Sequence, residues 1–284
     1  MIINKIAVIG TGLMGKGISH TLASFGYNVD LFGRRDEVEN ELFEYFNREV
    51  DKERITPEQK ISILKNISIF NINLDAKKLA DSDLVIETVK EDIDTKKWIF
   101  SIIDRYVNSD AILASNTSGF SITKLAEFTS YPENFVGMHF FSPVPLMKLV
   151  EVIKGEKTSD VVLQKTVKLL ESIGKLPIKV KDSPGFVLNK GLGALTNAAI
   201  NAYYEGIVES AEDIDNIFIH GMSLKVGPLK LADLIGIDVV YDSMLHVYEE
   251  TKDEKYRPCP MLKNMVDEGR IGKKVRRGFY NYEK

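Results

Sequence analysis

The sequence predicts an α/β protein in which a doubly wound, mostly parallel sheet precedes a smaller all-helical domain. In the first half of the chain, short apolar runs alternate with segments whose apolar residues recur at helical spacing. That alternation is typical of a parallel sheet with helices on both faces. Beyond residue 182 helical spacing dominates. The chain therefore divides into a sheet-forming part and a helical part.

The predicted strands are short apolar runs in the first half, at 6–9, 29–32, 84–87, 111–114 and 135–139. A helix is predicted over 14–26, and the charged stretch 36–65 carries apolar residues at helical intervals. The segment 181–186 contains Pro and Gly and interrupts the alternation, so we place the domain boundary after Asp182. In the second part, helices are predicted over 189–205, 212–220 and 239–250.

The composition excludes several classes of function. No stretch approaches the roughly 20 apolar residues of a membrane span, and the first residues lack the features of a signal peptide, so we expect a cytoplasmic protein. One cysteine and four scattered histidines predict no disulfide and no metal site. The net charge of -4 gives no attraction to nucleic acid, so a small-molecule partner is expected.

Gly10, Gly12 and Gly15 form the pattern G-x-G-x-x-G directly after the first predicted strand. The first glycine permits a tight turn, the second lets a pyrophosphate approach the backbone, and the third lets the helix pack on the strand. The pattern predicts a Rossmann-type dinucleotide-binding domain over 1–182, with cofactor contacts from these glycines and from Leu13 and Met14. The alternative is a strand–helix turn without a ligand, which the doubly wound pattern disfavours.

A second alternative comes from another class of protein, because residues 10–16 also spell the phosphate-binding pattern G-x-x-x-x-G-K. The run 84–87 resembles the acidic strand of a nucleotide hydrolase. That loop needs Ser or Thr at the next position to hold magnesium, and Gly17 stands there. Magnesium-dependent turnover of ATP would distinguish this hypothesis.

The end of the second predicted strand bears on the choice of cofactor. An NAD enzyme usually has an acid there that binds the ribose hydroxyls, but this chain has Gly33 followed by Arg34 and Arg35. The planar guanidinium group suits a phosphate. We therefore expect NADP(H), with both arginines near the 2′-phosphate, while NAD(H) remains possible. In the alternative, this loop is solvated and Asp36 replaces the missing acid.

His139 is the first candidate for catalysis. It ends the predicted strand 135–139, and ligands of open parallel sheets bind beyond the carboxyl ends of the strands. Histidine is the usual base for a hydroxyl proton. Taken alone, a histidine between Met138 and Phe140 is more often a core residue, so its assignment depends on the wider sequence.

Over almost its full length the chain resembles the 3-hydroxyacyl-CoA dehydrogenases, particularly the short bacterial 3-hydroxybutyryl-CoA dehydrogenases. The motifs that carry the resemblance are IGTGLMGKGI at 9–18, ASNTS at 114–118, GMHFFSPVP at 137–145 continuing to Glu151, DSPGFVLN at 182–189 and GFY at 278–280. The resemblance implies interconversion of a short-chain (S)-3-hydroxyacyl-CoA, such as 3-hydroxybutyryl-CoA, with a 3-ketoacyl-CoA, as in fatty acid and butyrate metabolism. It also implies a helical domain over 183–284 that binds the acyl-CoA substrate and forms a homodimer.

The resemblance assigns catalytic roles residue by residue. His139 is the base, and Glu151 orients its imidazole and stabilises the imidazolium. Ser118 and Asn189 hydrogen-bond the reacting oxygen and the neighbouring acyl group. Without the resemblance, Glu151 is an ordinary charge at a strand end, Ser118 a helix cap and Asn189 a first-turn helix residue.

The resemblance also implies neighbours for the cofactor and the substrate. Glu91, Lys96 and Asn116 are expected near the cofactor, and Ser142 near the substrate. Ser142 stands where many members have asparagine, and Asp92 stands where Asn or Arg is common. Both departures leave the substrate range open.

Two other functions remain as alternatives. One is a related hydroxy-acid dehydrogenase that acts on a free acid or a sugar acid, and it would turn over free acetoacetate as well as the CoA thioester. The other is a dinucleotide-binding protein without turnover. The presence of Ser118, His139, Glu151 and Asn189 together argues against the second alternative.

Overall fold

The computed structural model describes residues 3–34 and 38–283. The chain forms two compact units, Met1–Asp182 and Ser183–Lys284. Among the described residues, no helix is both long and apolar enough to cross a membrane.

The first unit contains a sheet of eight described strands in the order β3-β2-β1-β4-β5-β6-β7-β8. Every neighbouring pair is parallel except β6 and β7, which are antiparallel. The strands are β1 Lys5–Ile9, β2 Asn28–Gly33, β3 Ile67–Asn71, β4 Leu84–Glu87, β5 Ile112–Ser115, β6 Phe135–Phe140, β7 Leu149–Lys154 and β8 Leu176–Lys181.

Helices follow most of these strands. Those of the first unit are α1 Leu13–Ser24, α2 Val38–Asp51, α3 Pro57–Leu64, α4 Ile72–Asp75, α5 Ile93–Tyr106, α6 Ile122–Ala126 and α7 Asp160–Ser172. Short 3-10 helices lie at Ala76–Asp81 and Pro132–Asn134. The predicted α/β fold with a doubly wound, mostly parallel sheet is therefore confirmed.

The five predicted strands are present, with ends that differ by at most one residue from the apolar runs. They are buried because helices cover both faces of a parallel sheet, and the four residues 6–9 of β1 are at most 2% exposed. The charged stretch 36–65 contains two helices, because Thr56 and Gln59 form a capping box that begins α3 with Pro57 in its first turn. Three strands, β3, β7 and β8, had no assignment from the sequence.

The second unit is helical, as predicted. Its helices are α8 Leu188–Tyr204, α9 Ala211–Met222, α10 Pro228–Ile235, α11 Ile237–Thr251 and α12 Pro260–Asp267, with 3-10 helices at Glu254–Tyr256 and Lys273–Val275. Two buried carboxylates hold the GFY motif near the end of the chain. Asp233 accepts the backbone N–H groups of Phe279 and Tyr280, and Asp215 accepts the Tyr280 hydroxyl at 2.6 Å.

His20 on α1 is a buried histidine that lies away from the glycine turn and the strand ends of the sheet. Its Nδ1 lies 3.0 Å from the Tyr45 hydroxyl, and the residue is 3% exposed. Burial lowers the pKa of His20 from its ordinary 6.5 to about 4, with a further lowering by Lys175 that Glu49 opposes. The folded protein therefore keeps this imidazole neutral at a pH where the unfolded chain binds a proton.

We predict that this histidine makes the protein less stable as the pH falls from about 6.5 towards 4. The contribution is fully present above the unfolded pKa, and the loss amounts to about 2 kcal/mol at pH 5. The free energy of unfolding in urea, measured at pH 7 and pH 5, should fall less in His20→Gln than in the wild type. The matched control is His220→Gln, which removes an exposed histidine of α9. Equal pH dependence in the wild type and His20→Gln would contradict this assignment.

Candidate active site

The glycine turn between β1 and α1 has the geometry that a dinucleotide needs. Gly10 has a φ of +119°, and its N–H donates to Phe32 O at 2.9 Å. A Cβ on Gly15 would lie 1.8 Å from Gly10 O, so the helix packs against the turn with no room for a side chain. A Cβ on Gly12 would meet nothing within 4 Å, which leaves its backbone open to a ligand. Leu13 and Met14 begin α1 at this opening.

A cavity of about 480 Å³ lies over this turn in the first unit. Its lining includes Gly10, Gly12, Gly33, Arg34, Ile72 and Trp98. The cavity thus brings together the glycine turn, the end of β2 and one face of α5, as expected for a site at the carboxyl ends of parallel strands.

The end of β2 has no space for the missing acid. A Cβ on Gly33 would lie 2.6 Å from Val38 Cγ2 and 2.9 Å from Thr11 Cγ2. Arg34 is exposed, with its guanidinium 5.8 Å from the centre of the Trp98 ring. Arg35 and Asp36 lie outside the described residues. Among the described groups, Arg34 is therefore the cation next to Gly33, which occupies the position where an acid for the ribose is usual.

His139 and Glu151 form a buried pair on β6 and β7. The antiparallel register places them directly opposite each other, and His139 Nδ1 lies 2.8 Å from Glu151 Oε2. The two residues are 3% and 2% exposed. Because the carboxylate engages Nδ1, Nε2 is the ring nitrogen that this geometry suits for proton exchange.

Asn116 and Ser118 lie in the turn that follows β5. Asn116 Oδ1 accepts the N–H of Phe140 at 2.9 Å, which ties this turn to the end of β6. Glu91 Oε1 accepts the N–H groups of Ser118 at 2.9 Å and Gly119 at 3.2 Å, together with the Thr117 hydroxyl. The structure therefore brings Glu91 to the turn that carries Ser118.

The carboxylate of Asp182 holds the next part of the same segment. It accepts the hydroxyl of Ser121 at 2.7 Å and the N–H groups of Ile122 at 3.1 Å and Thr123 at 2.8 Å, at the start of α6. The sequence analysis used Asp182 to mark the domain boundary and as the start of the motif DSPGFVLN, but it predicted no role for Asp182 at this turn. Its place in the motif DSPGFVLN was the available signal for a role at this turn.

Lys96 lies deeper than the other predicted cofactor neighbours. Its side chain is 1% exposed, and its Nζ lies 2.8 Å from Glu87 Oε2 and 3.1 Å from Glu91 Oε2. Glu87 itself is fully buried and had no assignment in the dehydrogenase interpretation. Its position at the end of a predicted strand was the available signal.

The phosphate-hydrolase alternative does not fit these positions. Glu87 is engaged by the Lys96 ammonium, so it is not presented to a magnesium ion. A Cβ on Gly17 would lie 3.0 Å from Val144 Cβ, so a hydroxyl side chain there would be crowded. Within 3–34 and 38–283, no group of three or more His, Cys, Asp or Glu side chains is arranged to hold a metal ion.

The loop between β6 and β7 begins next to His139 and contains Ser142. Buried Lys175, directly before β8, donates from its Nζ to Val144 O and to Met147 O, the latter at 2.9 Å. Burial lowers the pKa of the Lys175 ammonium. Lys175 thus fixes the loop that joins the two strands of the His139–Glu151 pair, a role that sequence reasoning missed because the contact is not local.

Two further positions have a defined local structure. Asp92 is the N-cap of α5 and accepts the N–H of Thr95 at 2.9 Å, and hydrogen bonds from Thr95 hold the pKa of this carboxyl below its usual range. Asn189 belongs to the second unit, where it lies in the first turn of α8. Its predicted contact with the substrate stays a prediction.

Comparison with known proteins decides the family. Residues 5–183 match the family model described as 3-hydroxyacyl-CoA dehydrogenase, NAD binding domain. Residues 185–282 match the model of the C-terminal domain of the same family. The chain belongs to the 3-hydroxyacyl-CoA dehydrogenase family. Its first unit is therefore the part that binds a nicotinamide cofactor.

Relatives within the 3-hydroxyacyl-CoA dehydrogenase family match the chain from end to end. The 3-hydroxybutyryl-CoA dehydrogenase of Clostridioides difficile is 41% identical, with 99% of this chain and all of the relative covered. The mitochondrial hydroxyacyl-coenzyme A dehydrogenase of Homo sapiens is 34% identical, with 100% and 92% covered. The crystal structure of (S)-3-hydroxybutyryl-CoA dehydrogenase PaaH1 from Ralstonia eutropha has a TM-score of 0.93 at 40% identity, with 99% and 100% covered.

We predict that Gly12→Ala weakens cofactor binding without destabilising the dehydrogenase. The structure has space for the methyl group, but that space is where the pyrophosphate must approach the backbone. The single tryptophan, Trp98, lines the cavity, so quenching of its fluorescence reports cofactor binding. We expect the cofactor dissociation constant of Gly12→Ala to be about tenfold or more above that of the wild type. The thermal unfolding midpoint should be unchanged.

The matched control is Gly221→Ala on α9, where an added Cβ also meets nothing within 4 Å. This variant should bind cofactor as the wild type does. Wild-type affinity in Gly12→Ala would contradict the placement of the pyrophosphate.

Proposed function

We propose that this protein interconverts (S)-3-hydroxybutyryl-CoA and acetoacetyl-CoA by hydride transfer with NADP(H). The observation that carries the proposal is the buried His139–Glu151 pair at 2.8 Å, at the carboxyl end of a strand in a dinucleotide-binding sheet. The 3-hydroxybutyryl-CoA dehydrogenases among the relatives support the short acyl chain and the CoA thioester.

The residues act on the proton and on the reacting oxygen. When bound, the nicotinamide supplies or accepts the hydride. During reduction of the ketone, protonated His139 gives its proton to the forming alkoxide, and during oxidation neutral His139 takes that proton back. Glu151 orients the imidazole and stabilises the imidazolium. We assign Ser118 and Asn189 to hydrogen bonds with the reacting oxygen, and Ser142 to the substrate side of the site.

The preference for NADP(H) rests on two features at the end of β2. Val38 and Thr11 fill the space next to Gly33, so an acid at that position would have to displace them. Arg34 lines the cavity beside Trp98 and offers a guanidinium for the 2′-phosphate. Glu91, whose side chain is 43% exposed, is our candidate for the nicotinamide ribose, with Asn116 beside it. The homodimer, the further contact of Arg35 and the cytoplasmic location stay predictions.

The experiment that tests the reaction compares initial rates of reduction of acetoacetyl-CoA and of free acetoacetate, followed by nicotinamide absorbance. The proposal predicts turnover of the thioester and a much lower rate with the free acid. Equal rates with both would favour the hydroxy-acid dehydrogenase alternative. Cofactor binding without turnover of either would favour a protein that binds dinucleotide but has no activity.

We predict that His139→Gln lowers kcat about 10²- to 10⁴-fold, since glutamine cannot exchange the proton. Cofactor binding, measured by Trp98 fluorescence, should stay within about twofold of the wild type because His139 acts on the substrate. The control His220→Gln removes an exposed histidine from the second unit and should keep wild-type kcat. Retained turnover in His139→Gln would remove His139 from its role.

We predict that Arg34→Ala raises the dissociation constant for NADPH about 10- to 100-fold, as expected for the loss of a charged hydrogen bond. The dissociation constant for NADH should change little, because NADH lacks the 2′-phosphate. Arg105→Ala removes an exposed arginine in the last turn of α5, and it controls for the loss of one positive charge. An unchanged ratio of NADPH to NADH affinity in Arg34→Ala would contradict the phosphate assignment.

A further inference from the structure

Glu87 is a fully buried carboxylate at the end of β4 that has no role in the proposed chemistry. It accepts the N–H of Val89 at 2.7 Å and the hydroxyl of Ser115 at 2.6 Å. Both of its oxygens also accept from Lys96 Nζ, at 2.9 and 2.8 Å. A buried charge is costly unless it is paired. Because the Glu87 carboxylate has this many hydrogen-bond partners, its position is held firmly.

Lys96 connects Glu87 to Glu91. Its ammonium has three N–H donors, and the carboxylates of Glu87 and Glu91 lie within 3.1 Å of it. With two carboxylates and one ammonium, the group carries a formal charge of one negative. The Glu91 side chain is the exposed member, at 43%, while those of Glu87 and Lys96 are 0% and 1% exposed.

Glu91 in turn holds the backbone of the turn at 117–119. Its Oε1 accepts the N–H of Ser118 at 2.9 Å and the N–H of Gly119 at 3.2 Å. A second connection runs through Ser115, whose Oγ donates to Glu87 and accepts the N–H of Thr117 at 3.2 Å. The hydrogen bonds that start from Glu87 therefore extend to the backbone on both sides of Ser118, the residue that is assigned to the reacting oxygen.

We propose that Glu87 is a positioning residue for Ser118, acting through Lys96 and Glu91 on one side and through Ser115 on the other. This inference rests on the proposed function, because it gives Ser118 a contact with the reacting oxygen. Small displacements of a positioned group have large effects on rate. Glu87→Gln keeps the size of the side chain but removes the charge that attracts Lys96.

The test is a double-mutant cycle on Glu87→Gln and Ser118→Ala, read as the single-turnover rate of acetoacetyl-CoA reduction at saturating cofactor and substrate. We expect Glu87→Gln alone to slow hydride transfer about tenfold. In the Ser118→Ala background the same change should have no further effect, because the group that it positions is absent. Independent effects that multiply would overturn the proposal.

Loss of stability is controlled separately. Glu49→Gln removes another buried carboxylate that pairs with a cation in the same unit, Arg54 at 3.0 Å, and it should lower the unfolding midpoint but keep the wild-type rate. If Glu87→Gln does not fold, Glu87→Gln with Lys96→Met leaves no unpaired ammonium and replaces it in the cycle. A rate that returns to the wild-type value in this double variant would overturn the proposal.

The outcomes distinguish the inference from the proposed function. No turnover by the wild type would overturn both. An unchanged rate in Ser118→Ala would overturn the inference and the role of Ser118, while the proposed reaction would stand. If Ser118→Ala lowers the rate and Glu87→Gln lowers it by the same factor in the wild type and in Ser118→Ala, the inference alone would be overturned.

Discussion

The antiparallel pairing of β6 with β7 is the constraint on which the site depends. Two neighbouring parallel strands need a long crossover connection, because the chain must run back to the end of the sheet where both strands begin. The antiparallel pair β6 and β7 needs only a short loop, so Glu151 lies beside His139 twelve positions later in the chain. Directly opposite residues share a face of the sheet, so the register alone allows the 2.8 Å contact. A slip of one residue would turn Glu151 to the other face. Lys175 donates hydrogen bonds to two carbonyl groups of the connecting loop, and these bonds stabilise this register.

The remaining strands bring the other functional groups to the same edge. The glycine turn follows β1, Gly33 ends β2, Glu87 ends β4, and Asn116 follows β5. Polar contacts join these strand ends, since Asn116 accepts the N–H of Phe140, and Ser115 donates to Glu87. Burial makes each such contact consequential, because a buried polar group that loses its partner keeps its desolvation cost. Hydrogen bonds therefore join the ends of β4, β5 and β6.

The sequence predicted the parts of this structure that depend on local pattern. Apolar runs followed by glycines gave β1 and its turn, and motif resemblance gave His139, Glu151 and Ser118 their expected roles. The strand β7 was not assigned, because the charged Glu151 interrupts an otherwise apolar run. The burial of Lys96 was also unexpected, since its partner Glu87 lies on another element. The crowding of Gly33 by Val38 and the approach of Arg34 to Trp98 depend on packing between elements, which no sequence pattern encodes.

In the proposed mechanism, Glu151 fixes the imidazole of His139 so that Nε2 exchanges the proton. The most direct measurement is the ¹⁵N spectrum of the histidine side chains at pH 8, with His139 assigned by its loss in His139→Gln. We expect neutral His139 to carry its proton on Nδ1, facing Glu151, and Glu151→Gln to change this tautomer balance. A wild-type spectrum with the proton on Nε2, or one that is unchanged in Glu151→Gln, would contradict this role of Glu151.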